Sequence, residues 1–160
     1  MQTILSPTKY SRKSKPAIVG EVLTTYVRPR LEDCKKITSS REVYEALKDW
    51  EGIDLYESFK AIFVNRANYM VAGPVLISQG GVSGTVADPK IIFQKALAAN
   101  ASGLMLAHNH PSGALRPSQA DIDLTKKLKE AGRFLEIQVM DHVILTSDGK
   151  YFSFADEGML

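Results

Sequence analysis

Cysteine is nearly missing from this chain of 160 residues: Cys34 stands alone. A single thiol excludes an intramolecular disulfide and a zinc site made of several cysteines. It also excludes the H-x-E with P-C-x-x-C signature of the zinc deaminases. Such usage is compatible with a reducing compartment. No run of about 18 apolar residues occurs, so the sequence offers no candidate for a membrane-spanning helix. The N-terminus has no apolar stretch followed by a small-residue cleavage site, and a soluble, cytoplasmic protein without membrane association is the expectation. H-E-x-x-H is absent, and there is no internal repeat. Histidine is scarce, three residues in all, and that scarcity makes the placement of each one informative.

A chain of this length suits one domain with a substantial core. The net charge of +2 hides an asymmetry. Residues 1–36 hold eight Lys/Arg against three Asp/Glu, whereas the remainder holds twelve against fifteen. The cluster Lys9, Arg12, Lys13 and Lys15 can contact phosphates, since each cation that neutralises a phosphate releases counterions. A solvated tail accounts for the same residues, because Tyr10 is the sole interleaved aromatic and no nucleic-acid-binding motif is present. Weak nucleic-acid contact through this arm is the most it supports.

Hydrophobic period organises the rest. Residues 1–16 have none and read as an arm. Residues 17–27 are rich in β-branched side chains and read as a strand, ended by Arg28-Pro29-Arg30. Ser39 with Glu42 has capping-box spacing, and Val43, Leu47 and Trp50 recur at helical intervals, which predicts a helix over 40–50. Residues 56–65 and 69–78 read as two strands of an antiparallel hairpin, and the glycine-rich segment from Gly80 to Gly84 as a flexible connection. Asp88-Pro89 marks a helix start. Residues 103–107 read as a short buried strand, 118–131 as a helix stopped by Gly132, 134–140 and 142–146 as further strands, and 151–154 as a last one after the turn at 147–149. The domain reading is a basic arm plus a strand over 1–37 and a single globular domain over 38–160.

The segment His108-Asn109-His110-Pro111-Ser112-Gly113, followed by Pro117-Ser118-Gln119-Ala120-Asp121, gathers two imidazoles, hydroxyls and a carboxylate within fourteen residues. Two histidines one residue apart point to the same side of an extended segment. A carboxylate on the next element can complete a set of three ligands, leaving the fourth tetrahedral position open as catalytic zinc requires. Loop histidines satisfied by backbone carbonyls are the plain alternative, and Ser118-x-x-Asp121 also has capping spacing. Pro111 and Gly113 fit the turn that takes the backbone off the strand.

Written as H-x-H-x7-S-x2-D, these residues resemble the JAMM (MPN+) metalloprotease motif, and the spelling HNHPSG is similar to its RadC-like branch. The likeness runs over about 39–154 and includes Glu57, the apolar run over 103–107 and Asp141-His142-Val143-Ile144-Leu145. What it implies is an α/β fold of three layers, α/β/α, with a mixed central sheet of the architecture shared with cytidine deaminases. It further implies one zinc ion held by His108, His110 and Asp121, a Ser118 hydroxyl facing the reacting carbonyl, and hydrolysis of a peptide or isopeptide bond in a peptide or protein substrate. Full-length relatives carry an N-terminal helix-hairpin-helix-like region, which a chain of this length does not accommodate.

Such a site needs a proton carrier that is not a ligand. Glu57, at the start of a predicted strand and upstream of the histidines as in the family, is the candidate; Glu51 is the rival. His142 is open between a role beside the site and a structural histidine at a strand start. Cys34 has no histidine near it in sequence and is assigned no chemistry. The contiguous letters His-Asn-His also spell a nuclease class, but that class spreads its residues over a ββα unit. A reading of a different kind remains, a DNA-associated factor of the repair or recombination type that uses the basic arm or the same metal site.

Overall fold

The computed structural model describes residues 29–80 and 87–160. The arm over 1–16, the strand read over 17–27 and most of the glycine-rich connection lie outside the described residues.

Among the described residues five strands form one sheet in the order β2-β1-β3-β4-β5, where β1 is Ser58–Val64, β2 Met70–Gln79, β3 Gly103–Asn109, β4 Gln138–Leu145 and β5 Tyr151–Ser153. The β1 strand runs antiparallel to β2 and to β3, β3 and β4 are parallel, and β5 returns antiparallel. The sheet is therefore mixed. Among the described residues three α-helices accompany it: α1 Ser40–Leu47, α2 Pro89–Ala98 and α3 Gln119–Phe134.

The layering follows from the period-2 alternation of β1 and β3. Phe59, Ala61 and Phe63 of β1 with Leu104 and Leu106 of β3 form one buried cluster with Ile92, Phe93 and Ala96 of α2 and Leu128 of α3. The intervening residues Ile62, Val64, Met105 and Ala107 bury the opposite face against Val43 and Leu47 of α1, together with Ile37 and Trp50. The architecture is α/β/α, with α1 on one side and α2 and α3 on the other.

Helix starts match their sequence signals. Ser39 accepts from the Glu42 N–H and Asp88 accepts from the Lys90 N–H, with Pro89 in the first turn behind it. The end of α3 differs from expectation, because the helix runs through Gly132 to Phe134. Gly132 is there for space: a Cβ on it would stand 2.3 Å from the Ile137 carbonyl oxygen. The chain reverses instead at Glu136, whose φ is +56°. Residues 134–137 consequently belong to the helix end and turn, and the two strands read over 134–140 and 142–146 are one strand, β4.

An irregularity in β4 decides where His142 points. Leu104 pairs with Val139, but Met105 pairs with Asp141 and Leu106 with His142. The extra residue shifts the alternation by one, so Val139 and His142 both face α2 and α3. Without it His142 would point at the α1 layer.

Candidate metal centre

The two imidazoles arise from the end of β3 as the i, i+2 rule requires. His108 lies within the strand, on the face of Leu104 and Leu106 and 1% exposed, and His110 follows directly after the last strand residue. Backbone bonding holds His110 in line, since its N–H donates to the Leu145 carbonyl at the end of β4. The tight turn after it, closed by Gly113 N–H to the His110 carbonyl with Gly113 at φ +77°, brings the Ala114 carbonyl to 2.6 Å from His110 Nδ1. A carbonyl only accepts, so Nδ1 carries the hydrogen and the Nε2 lone pair of His110 is free to face inward.

Asp121 enters from the first turn of α3. Ser118 caps that helix with its hydroxyl accepting from the Asp121 N–H, and the Asp121 side chain reaches back to the Ser118 N–H, a complete capping box. The two carboxylate oxygens divide the work. Oδ2 accepts from the Ser118 N–H at 2.7 Å and from the Ser118 hydroxyl at 2.6 Å. Oδ1 is turned to His108 Nε2, 3.3 Å away. Capping and ligation are thus compatible in one residue. Burial pushes the Asp121 carboxyl up, but the hydrogen bond and charge of His108 and the hydrogen bonds from Ser118 outweigh it and hold the group below the ordinary carboxylate range.

The donors converge. His108 Nε2 and His110 Nε2 are 2.9 Å apart, and His110 Nε2 is 3.8 Å from Asp121 Oδ2. Two nitrogen lone pairs at such a distance repel unless a proton or a cation lies between them. Bonds of about 2.0 to 2.1 Å in a tetrahedral zinc site set ligand-to-ligand separations of about 3.3 to 3.4 Å, the middle of the range found here. His108, His110 and Asp121 form a group able to hold a metal ion, and two nitrogens with one oxygen suit a divalent ion of the zinc type.

Behind the histidines lies a second set of buried polar atoms. His108 Nδ1 is 2.8 Å from His142 Nε2, and His142 Nδ1 is 2.6 Å from the Thr125 hydroxyl. His142 is fully buried, stacked on Phe154, and that burial holds its pKa well below the ordinary imidazole value. Phe59 stacks on His108 with the rings nearly parallel. The position of His142, which sequence leaves open, is therefore beside the metal group. Sequence reasoning does not single out Thr125, although its spacing of four from Asp121 sets both on one face of α3.

Asn109, between the two imidazoles, points the other way and fastens the segment ahead of β1. Its carbonyl accepts from the Ser58 N–H at 2.8 Å, and its amide donates to the carbonyls of Ile53 and Tyr56 at 2.7 and 2.9 Å. Glu57 sits in that fastened segment, half-buried, with its own carbonyl accepting from the Gly80 N–H. Phe59 pairs with His108, and extending this antiparallel register by two residues sets position 57 opposite position 110. The Glu57 carboxylate has no hydrogen bond or ion pair among the described residues. Glu51 lies on the other side of the sheet. Its charge acts on Lys60, which covers Trp50 in the α1 layer.

Comparison with known proteins agrees with this construction. A family model described as RadC-like JAB domain matches residues 37–159. A UPF0758 protein of Flavobacterium johnsoniae is 44% identical over 135 residues, 82% of this chain and 58% of the relative. One from Porphyromonas gingivalis is 42% identical over 132 residues, 82% of this chain and 56% of the relative. One from Azotobacter vinelandii is 36% identical over 156 residues, covering 98% of this chain and 67% of the relative. The chain thus spans less than three fifths of the first two relatives. With a matched family model over three quarters of its length, and with two histidines at the end of β3 meeting an aspartate from the start of α3, the chain belongs to the RadC-like JAB domain family.

Proposed function

We propose that the chain is a metal-dependent hydrolase of peptide or isopeptide bonds, with zinc as its ion. The observation that carries the reading is the convergence of His108 Nε2, His110 Nε2 and Asp121 as three donors, with no fourth His, Cys, Asp or Glu in the group among the described residues. Three protein ligands leave a position for the reaction, which a structural site closes. A divalent ion bound there supplies Lewis acidity toward a carbonyl oxygen and lowers the pKa of water to about 7.

The chain supplies the rest. Glu57 takes a proton from the attacking water and gives it to the leaving nitrogen, which requires an unengaged carboxylate near the ligands. Its lack of a partner among the described residues and its register opposite His110 support that role. Ser118 is exposed at the mouth of the site, and its hydroxyl donates to Asp121 Oδ2. Turning that hydrogen toward a substrate oxyanion leaves Oδ2 still held by the Ser118 N–H.

The test is a metal-loaded chain incubated with a mixed peptide and isopeptide library, with new amine termini read by mass spectrometry. Cleavage that stops in Glu57→Gln while bound zinc stays stoichiometric is the expected result. A zinc-loaded chain that releases no termini contradicts the reading.

A second reading, a DNA-associated factor, has one structural observation in its favour. A cleft of about 490 Å³ at the other end of the sheet carries Arg66, Lys129 and Arg133, which make no ion pair among the described residues. Duplex affinity that falls with salt at a log-log slope of about −0.9 per phosphate contacted is its signature.

A further inference from the structure

His142 is wholly buried between Phe59 and Phe154, with no carboxylate hydrogen-bonded to its ring among the described residues, a setting for an uncharged imidazole. For an uncharged ring the buried atoms behind His108 leave one arrangement of hydrogens that makes every contact a hydrogen bond. Thr125 Oγ1 is 2.6 Å from the Asp121 carbonyl oxygen and also 2.6 Å from His142 Nδ1. The hydroxyl owns one hydrogen and the carbonyl cannot donate, so that hydrogen goes to Asp121. The hydroxyl must then accept from His142 Nδ1–H. A neutral imidazole with its hydrogen on Nδ1 has a lone pair on Nε2, and that lone pair accepts from His108 Nδ1–H at 2.8 Å. His108 is left with Nε2 as the atom that can ligate.

We propose that Thr125 and His142 are positioning residues that order hydrogens from the α3 backbone to His108, fixing its Nε2 as the metal-binding atom. The inference rests on the metal reading above for its consequence, though not for its hydrogen order. A histidine ligand usually gives its second N–H to a carboxylate, carbonyl or water. Here a neutral histidine takes that place, and its own orientation depends on one hydroxyl of the helix that carries Asp121. The first and third ligands are thereby coupled: the turn of α3 that presents Asp121 also sets the hydrogen on His108. Phe59 and Phe154 pack against the His142 ring at 5.4 and 4.8 Å between centroids, and the residue is wholly buried.

Two measurements test this. In the first, two-bond 1H–15N spectra of the ring-labelled chain, metal-free and with one equivalent of zinc, should show His142 neutral with its hydrogen on Nδ1 in both forms. A hydrogen on His142 Nε2 overturns the proposal, since it would make His142 the donor to His108. In the second, zinc affinity is measured by chelator competition. Thr125→Val, which keeps the shape and removes the hydroxyl, should lose about 10- to 100-fold, and Thr125→Ser should recover most of it. Equal affinity in Thr125→Val and the parent chain overturns the proposal. If the parent chain shows the expected His142 hydrogen but binds no zinc, the hydrogen order stands and the metal reading falls, so the two fail separately.

Discussion

The two ends of the parallel pair β3 and β4 offer opposite things. At their C-terminal end stand His108, Asn109, His142 and Thr125, each buried to within 2% exposure, with Asp121 beside them. At their N-terminal end lies a cleft of about 490 Å³, lined by Asn65, Arg66, Ser102, Lys129, Arg133 and Gln138. The second end offers an open cleft, and the first offers chemistry. A buried polar atom persists only when it is fully partnered, so a cluster of desolvated donors shows that the fold has committed hydrogen bonds to one geometry. Exposed cations in a cleft commit nothing, because water serves them equally well. Ligands of open α/β sheets gather at the carboxyl ends of strands, in agreement with the first end.

The largest effect that separates the ends is expected for the ligands themselves. His110→Ala should abolish stoichiometric zinc binding while far-ultraviolet circular dichroism stays near that of the parent, since His110 is at the rim of the core. Stoichiometric zinc in that variant would remove His110 from the site. Next comes Glu57→Gln, expected to keep zinc and lose about 10² to 10⁴ in turnover; loss of zinc would show Glu57 to be a ligand.

Ser118→Ala is intermediate because the observed cap and the proposed oxyanion contact meet there. Loss of the cap should cost about 0.5 to 2 kcal/mol in urea unfolding, and loss of an oxyanion donor about 10² to 10³ in turnover. A stability change with unchanged turnover would leave Ser118 as a cap alone.

A smaller effect concerns Asp141, buried on the opposite face of β4 from His142. Burial raises its carboxyl above the ordinary 3.8, although hydrogen bonds from the Ser153 hydroxyl and from the N–H groups of Ala155 and His142 oppose the rise. The folded chain therefore holds this proton more tightly than the unfolded chain. Stability from this group should decline as pH rises from 3.8 toward the raised folded value and be level above it. Asp141→Asn should remove that decline from unfolding curves measured across the window, and an identical decline in both proteins would refute the assignment. The smallest effect should come from Arg133→Ala in the wide cleft, which should leave zinc content and turnover unchanged. A large loss of turnover there would mean that the two ends act together.

Much of the candidate metal centre is legible in the sequence because it is local. His108, His110, Ser118 and Asp121 fall within fourteen residues, and alternation and capping rules decide their directions without knowledge of the rest of the chain. The layers are legible only through the family resemblance, because β1 and β3 are nearly continuous apolar runs buried on both faces. The contact between His142 and His108 is not legible. His142 faces His108 only because β4 gains one residue between its pairs at Val139 and Asp141, and no turn residue or break in the apolar run marks that irregularity in the sequence. The end of α3 departs from the sequence expectation at Gly132 because glycine has two uses, and here close approach of the Ile137 carbonyl, rather than a positive φ, demands it.

The central claim is that three donors at the end of β3 and the start of α3 hold one ion and leave it a free position. Anomalous scattering from crystals of the zinc-loaded chain tests it most directly. The account predicts a single peak bonded to His108 Nε2, His110 Nε2 and Asp121, with no further protein ligand. A peak elsewhere, bonding through His108 Nδ1, or a fourth side chain closing the site would contradict it.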